Sequence, residues 1–334
     1  MGKTISLKDV ARVAGVSLGT ASKVVNGTGK VNAEMRAKVL QTIKELDYVP
    51  NIIARSLKTK LNHTVGVIIP EISNPFFTSV VNGIEEVLQK QGYSMLLYNT
   101  NLNTEEELRA LLVFNQKVDG IIFISNTISD VLAQELRKLS IPLVLIATQL
   151  EGVISLNIDN EEAAYTAVNH LYELGHRKIA ILSGLLNDKN AGAPRLAGYK
   201  KALQEKGLPI NPLYIKEGNY KFKDGYDNAL ALMALKERPS AIFAASDLMC
   251  MGACRAILSL GHQIPEDVAL IGFDDIEFSQ YFNPPITTVR QPRDEMGKAG
   301  SEFLVSLIRQ KQVEPKNYIF DFELVIRESS ERTI

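Results

Sequence analysis

The sequence predicts an α/β protein in three parts: a small all-helical headpiece at the N-terminus, a short basic connector, and a body of two α/β lobes. Three observations carry this. Residues 1–60 hold eleven Lys or Arg against four Asp or Glu, while the other 274 hold twenty-six against thirty-four, so a net charge of −1 conceals a head of +7. Between Leu7 and Asn26 lie two short apolar-periodic segments separated by Ala14-Gly15-Val16-Ser17. The remainder alternates apolar runs with amphipathic stretches, the pattern that yields parallel sheets with helices on both faces.

In the headpiece, Leu7, Val10, Ala11 and Ala14 recur at helical intervals, as do Ala21, Val24 and Val25. Each predicted helix has one narrow apolar face, and two such faces bury each other. Gly15 suits the left-handed position past a helix end, and Ser17 can cap the next helix by accepting from its free amides. A third helix over residues 33–46, with Val39, Leu40, Ile43 and Leu46 facing inward, completes a small core. A plain helical hairpin with a solvated basic face has the same pattern. The confinement of positive charge to this end, and a second basic element after it, favour a helix-turn-helix that enters DNA.

That second element is residues 50–62. Pro50 blocks continuation of the third helix, Asn51 can cap a new one, and about two turns can follow. So short a helix rarely stands alone in water, so it should order only when held. Leu57 beside Arg55, Lys58 and Lys60 has the make-up of a minor-groove wedge, an apolar side chain that pries a base step open and cations that hold the backbone. A basic linker with an incidental leucine is the other reading.

In the body, strands are predicted at 64–69, 94–98, 120–124, 143–147, 179–182, 241–244 and 268–271, and around 270 residues is more than one such sheet needs, so two similar α/β lobes are expected. Binding then belongs in a cleft between lobes, at the carboxyl ends of the strands. Asn74, Phe76 and Phe77 follow the first strand; an amide and two aromatics suit a polar ring, although both phenylalanines also fit as core residues at a helix start. No apolar run approaches the ~20 residues of a membrane span, and no signal-peptide core precedes the headpiece, so a cytoplasmic protein without membrane contact is expected. Cys250 and Cys254, four apart, read as reduced buried thiols, and four scattered histidines offer no ligand spacing, so neither metal nor cofactor is expected. Asp247 and Asp274-Asp275 could be imagined as acid and base, but no nucleophile with a neighbouring His and no phosphate loop accompanies them. An enzyme is therefore disfavoured, and so is a free-standing solute receptor, which would not carry the headpiece.

Leu7-Lys8-Asp9-Val10-Ala11, Gly15-Val16-Ser17, Ser22-Lys23-Val24-Val25-Asn26 and Ala54-Arg55-Ser56-Leu57 resemble the headpiece and hinge of the lactose-repressor (LacI/GalR) family of bacterial transcription regulators. The resemblance continues through Ser73-Asn74-Pro75-Phe76-Phe77, Val118-Asp119-Gly120, Arg195-Leu196-Ala197-Gly198-Tyr199, Ile271-Gly272-Phe273-Asp274-Asp275 and Pro284 to Pro292, nearly the whole chain. It implies a helix-turn-helix headpiece (1–49), a hinge helix and linker (50–62), and a two-lobed core like that of periplasmic sugar-binding proteins (63–334). The chain would cross between lobes near 147–155, 274–278 and 287–292. A homodimer would read a palindromic double-stranded operator through Ser17, Leu18, Thr20, Ser22, Lys23, Asn26, Asn51, Ala54, Arg55, Leu57 and Lys58. A small-molecule effector would meet Asn74, Phe76, Phe77, Arg195, Tyr220, Ser246, Asp274 and Gln291. Arg195 offers a planar fork of donors and Asp274 an acceptor, unless Asp274 only caps a loop beside Asp275.

Two departures stand out. Sugar-type and purine-type relatives commonly end the fourth strand in an acid, whereas this chain has Ala147-Thr148. The catabolite-control branch, which answers to a phosphocarrier protein, also lacks that acid, yet its basic partner-facing residues are replaced here by Glu302 and Ser306. In the recognition helix, Lys23 stands where relatives usually carry Arg, so a two-pronged grip on guanine becomes a single mobile cation. The expected function is a repressor of carbohydrate-metabolism genes controlled by a sugar or sugar derivative; the alternatives are a catabolite-control-type or a purine-responsive regulator.

Overall fold

The computed structural model describes residues 5–25, 29–48, 61–125 and 127–331. They form two compact units, Met1–Asn62 and His63–Ile334. The expected DNA contacts Asn26, Asn51, Ala54, Arg55, Leu57 and Lys58 lie outside the described residues.

The first unit holds α1 (Leu7–Val13), α2 (Leu18–Val25) and α3 (Ala33–Glu45). Ser6 caps α1 in a reciprocal box: its hydroxyl accepts from Asp9 N, and the Asp9 carboxylate accepts from Ser6 N at 3.1 Å. Gly15 takes φ +65° in the turn, and Ser17 Oγ caps α2 by accepting from Thr20 N at 3.1 Å. Val10, Val24, Val39 and Tyr48 form the buried centre, with Leu7, Ala14, Val16, Ile43 and Leu46 packed around them. Leu40 does not face inward as the sequence predicts; it is 47% exposed, and Thr42 is buried instead. The inward stripe of α3 runs 39, 42, 43, 46, and residue 40 lies one helical step off it.

The second unit contains two six-stranded sheets. Strands β1 (Thr64–Ile69), β2 (Ser94–Asn99), β3 (Gly120–Ile124), β4 (Leu143–Ile146) and β5 (Ile154–Ile158) join β11 (Asn317–Phe320) in the order β11-β5-β4-β3-β1-β2. Strands β6 (Ile179–Ser183), β7 (Ile215–Glu217), β8 (Ala241–Ala244), β9 (Ala269–Asp274) and β10 (Thr287–Arg290) join β12 (Glu323–Val325) in the order β12-β10-β9-β8-β6-β7. All pairings are parallel except β10 with β12. Strand residues alternate between two apolar layers: Ile68, Ile121, Phe123 and Leu145 meet the helices Thr104–Lys117 and Asp130–Arg137, while Val67, Ile69, Ile122, Ile124 and Val144 meet the helices Pro75–Gln91 and Arg293–Ile308.

The chain passes between sheets after β5, after β10 and after β11. Of the predicted crossings, only 287–292 coincides with a passage. Residues 147–155 link β4 to β5 within one sheet, and 274–278 link β9 to β10 within the other. Those crossings are implied by the family resemblance; the strands that place the true passages, β5, β11 and β12, are not apolar runs, and in β5 the buried Asn157 is satisfied internally, Nδ2 donating to Thr148 O at 3.1 Å and to Asn317 Oδ1 at 2.6 Å.

In the second lobe, helices Phe222–Met233 and Asp247–Ser259 meet through reciprocal glycines. A Cβ on Gly225 would lie 2.0 Å from Met249 O, and one on Gly252 would lie 2.0 Å from Phe222 O. Backbone cannot yield as a side-chain tip can. Gly252→Val is expected to destabilise the body by about 3 kcal/mol or more, read in urea unfolding; a loss below about 1 kcal/mol would mean that the helices can slide apart freely.

Candidate functional site

The described DNA-contact candidates of the headpiece sit on or just before α2. Ala21 and Val24 take its buried face, which leaves Leu18 (45% exposed) and Lys23 outward and Ser22 half-buried. Ser17 and Thr20 share a hydroxyl contact of 2.9 Å in addition to the cap, so these two order the start of the helix. The Lys23 stem lies along Gly29. Asp9 and Arg12 pair at 3.0 Å on α1.

The body contains a cavity of ≈ 510 Å³ of empty space, partly open to solvent, at the carboxyl ends of strands from both sheets. Seven of the eight expected effector residues line it: Asn74, Phe76 and Phe77 beyond β1, Arg195 on the helix Gly192–Glu205, Tyr220 beyond β7, Asp274 ending β9, and Gln291 beyond β10. Ser246 is not among the lining residues. Its hydroxyl accepts from Met249 N at 3.3 Å to cap the helix Asp247–Ser259, and contacts Tyr220 O at 3.5 Å, so it supports Tyr220 from behind.

Both readings of the phenylalanines hold together, because Phe76 and Phe77 are buried core residues that also face the cavity, edge to face at 5.1 Å. Asn74 caps their helix through Oδ1, which accepts from Phe76 N at 3.0 Å, so its amide NH₂ is the group left to address a ligand. Arg195 lies flat on the Phe273 ring at 3.6 Å, with Nε donating to Asn160 Oδ1 (2.9 Å) and Nη1 to Ala245 O (2.6 Å). Asp274 Oδ1 accepts from Gln291 Nε2 at 2.7 Å, while holding the loop falls to Asp275, paired with Arg290 and Arg327 at 2.7 Å each. Burial pushes the Asp274 carboxyl up to about 6, against the opposing pull of Arg195, Arg293 and Gln291. Its φ of +114° is a strained value for a residue with a side chain.

The cavity also includes residues that the sequence reading did not single out: Asn157, Ile158, Asn160, Asp188, Ala191 and Met296. Asp188 Oδ2 accepts from the Tyr220 hydroxyl at 2.6 Å, and its Oδ1 accepts from the amides of Asn190 and Ala191 at 2.9 Å. Burial first, then the Asp188 charge, raise the Tyr220 hydroxyl well above its ordinary value, so it stays a donor. The Asp-Lys-Asn turn at 188–190 after a strand was the available signal. Ala147 lines the wall where an acid is common in relatives, at φ +58°.

Behind the cavity, buried Asp247 accepts from Ile276 N (2.8 Å), Ser279 Oγ (2.7 Å) and Thr288 Oγ1 (2.6 Å). Burial, reinforced by the Asp274 charge, pushes its carboxyl up to about 7. The folded chain thus holds a proton that the unfolded chain releases near ~3.9, so stability is lost as pH rises through about 7. Lowering pH from ~8.5 to ~6.5 should stabilise the protein by on the order of 1 kcal/mol, seen as a rising Tm, and Asp247→Asn should flatten that slope. As pH falls through ~6.5, the lower edge of that window, His170 and His176, whose charged forms burial disfavours, act in the opposite direction and reduce the gain. A falling wild-type Tm over the stated window would contradict the assignment.

Residues 6–51 match the family of bacterial regulatory proteins, lacI family, and residues 168–330 match the periplasmic binding protein-like domain. Catabolite control protein A of Priestia megaterium is 37% identical over 329 residues, covering 98% of this chain and 99% of that one. Among solved structures, a transcriptional regulator CelR–cellobiose complex is 32% identical with a TM-score of 0.75, covering 98% of this chain and 100% of that one. A Lac repressor dimer bound to operator and the anti-inducer ONPF is 29% identical with a TM-score of 0.88, over 99% and 100%. The likeness thus runs through headpiece and body together, and the chain belongs to the lacI family of bacterial regulatory proteins.

Proposed function

We propose that this DNA-binding transcriptional regulator represses carbohydrate-metabolism genes as a homodimer, its operator affinity set by a sugar or sugar derivative in the cavity between the lobes. The observation that carries the reading is the lining itself: the amide of Asn74, the guanidinium of Arg195, the carboxylate of Asp274 and two aromatics converge on one space, held by the amides of Asn157, Asn160 and Gln291, which bond to protein partners around them. Such a set exchanges many hydrogen bonds with hydroxyls while stacking on a ring face. The relative with cellobiose bound and the repressor bound to operator support this reading. The Lac repressor dimer supports the homodimer, and exposed Leu96 and Leu97 on the edge strand β2 are apolar surface that a second copy can cover. Among the described residues no helix is long and apolar enough to cross a membrane, in keeping with a cytoplasmic regulator.

The test is fluorescence anisotropy of the full chain on DNA from its own upstream region, at two salt concentrations, with a panel of sugars, phosphosugars and purines. Salt-dependent specific binding that a sugar shifts supports the proposal. A response to a purine alone, or only to a phosphorylated carrier protein, replaces it with the corresponding alternative. The catabolite-control alternative is disfavoured by Glu302, exposed on the helix Arg293–Ile308, where that branch presents basic side chains. In the hinge, Leu57→Ala should weaken specific binding far more than non-specific binding; equal losses on both DNAs would remove the wedge role.

A further inference from the structure

Among the described residues, Thr148 and Asn190 make a polar contact between the two lobes at the cavity rim through a fully buried side chain. Thr148 follows β4 in the first lobe and is fully buried. Asn190 lies in the turn before the helix Gly192–Glu205 of the second lobe, and its Nδ2 donates to Thr148 Oγ1 at 2.8 Å. Each is the sequence neighbour of an alanine in the cavity wall, Ala147 and Ala191.

Both ends are anchored. Thr148 O accepts from Asn157 Nδ2, which also donates to Asn317. Asn190 N donates to Asp188, and Asn190 O accepts from Asn160 Nδ2 at 2.8 Å; the same Asn160 receives Arg195 Nε. Further contacts join the lobes among the described residues: Lys221 with Glu71 at 3.6 Å, half-exposed and of little worth by comparison, and Arg293 Nη2 donating to Asp275 O at 2.5 Å, which sits beside the chain passage at 287–292 rather than across the rim. We propose that Thr148 and Asn190 form a clasp that stabilises the arrangement in which the lobes meet, so that parting the lobes breaks this bond and the chain's own side chains contribute to the open–closed balance. The clasp concerns closure itself and stands whichever ligand enters. Its logic is local: in a site of low polarity a fully buried hydrogen bond is worth more than one in water, and breaking it leaves a buried hydroxyl without its partner.

The experiment is amide hydrogen exchange on the full chain, comparing wild type with Thr148→Val, which keeps shape but removes the acceptor, and Thr148→Ser, which keeps the hydroxyl. The informative segments are 71–79 and 217–223, which supply Asn74, Phe76, Phe77 and Tyr220 to the cavity from other loops. Thr148→Val should exchange about tenfold faster there, and Thr148→Ser at the wild-type rate. Asn190→Ala, which removes the donor from the other lobe, should reproduce the valine result. Unchanged exchange in the valine and alanine variants, faster exchange confined to residues 145–150, or equal acceleration in the serine variant would overturn the clasp.

Discussion

Val24→Asp should abolish specific DNA binding while leaving the body folded. Val24 sits with Val10, Val39 and Tyr48 at the centre of three short helices, two of them only seven and eight residues long. Helices of that length do not persist alone in water, so α1 and α2 exist because they bury one another. Natural domains are stable by about 0.05–0.15 kcal/mol per residue, which leaves a headpiece this small only a few kcal/mol. A carboxylate in its centre has no cation to meet and costs at least that much. Specific affinity should fall by about 10³-fold or more, towards the non-specific level, in an anisotropy titration at fixed salt. The calorimetric transition of the body, whose core is built from other residues, should keep its midpoint. Retained specific binding would show that DNA is not read through α2.

Arg195→Met should remove the effector response and leave DNA binding intact. The methionine retains much of the stem volume under Phe273 but loses the guanidinium that donates to Asn160 and Ala245 and lowers the Asp274 carboxyl. A ligand acceptor placed beside that fork loses a charge-assisted hydrogen bond, and buried Asp274 keeps only Arg293 of the two cations that favour its charged form. The affinity of whichever compound shifts wild-type DNA binding should fall on the order of 100-fold, measured by calorimetry with the same compound. An unchanged response would place the effector elsewhere than the cavity.

Much of this was legible in the sequence because the signals are local. The caps and turn of the headpiece use neighbours within a few residues: Gly15 at positive φ and Ser17 accepting from Thr20. The apolar strands β1, β3, β4, β8 and β9 announce themselves by burial on both faces. Leu40 was misread because a stripe of four positions tolerates a fifth at its edge, and only packing against α1 and α2 decides which residue loses. In the cavity, seven of eight residues named from the family resemblance come together, whereas Asn157 and Asn160 give no comparable signal, since isolated polar residues look alike wherever they lie, and Asp188 is marked only by its turn.

Composition, charge and periodicity by themselves determined a basic three-helix head on an α/β body, because those features depend on neighbours in the chain. Tertiary structure alone decided where the chain crosses between lobes, that Ser246 stands behind Tyr220 rather than in the wall, and that Thr148 meets Asn190 across the rim. These depend on polar residues far apart in sequence finding one another's donors and acceptors, and a buried polar group takes its meaning from the partner that satisfies it, which no local pattern specifies.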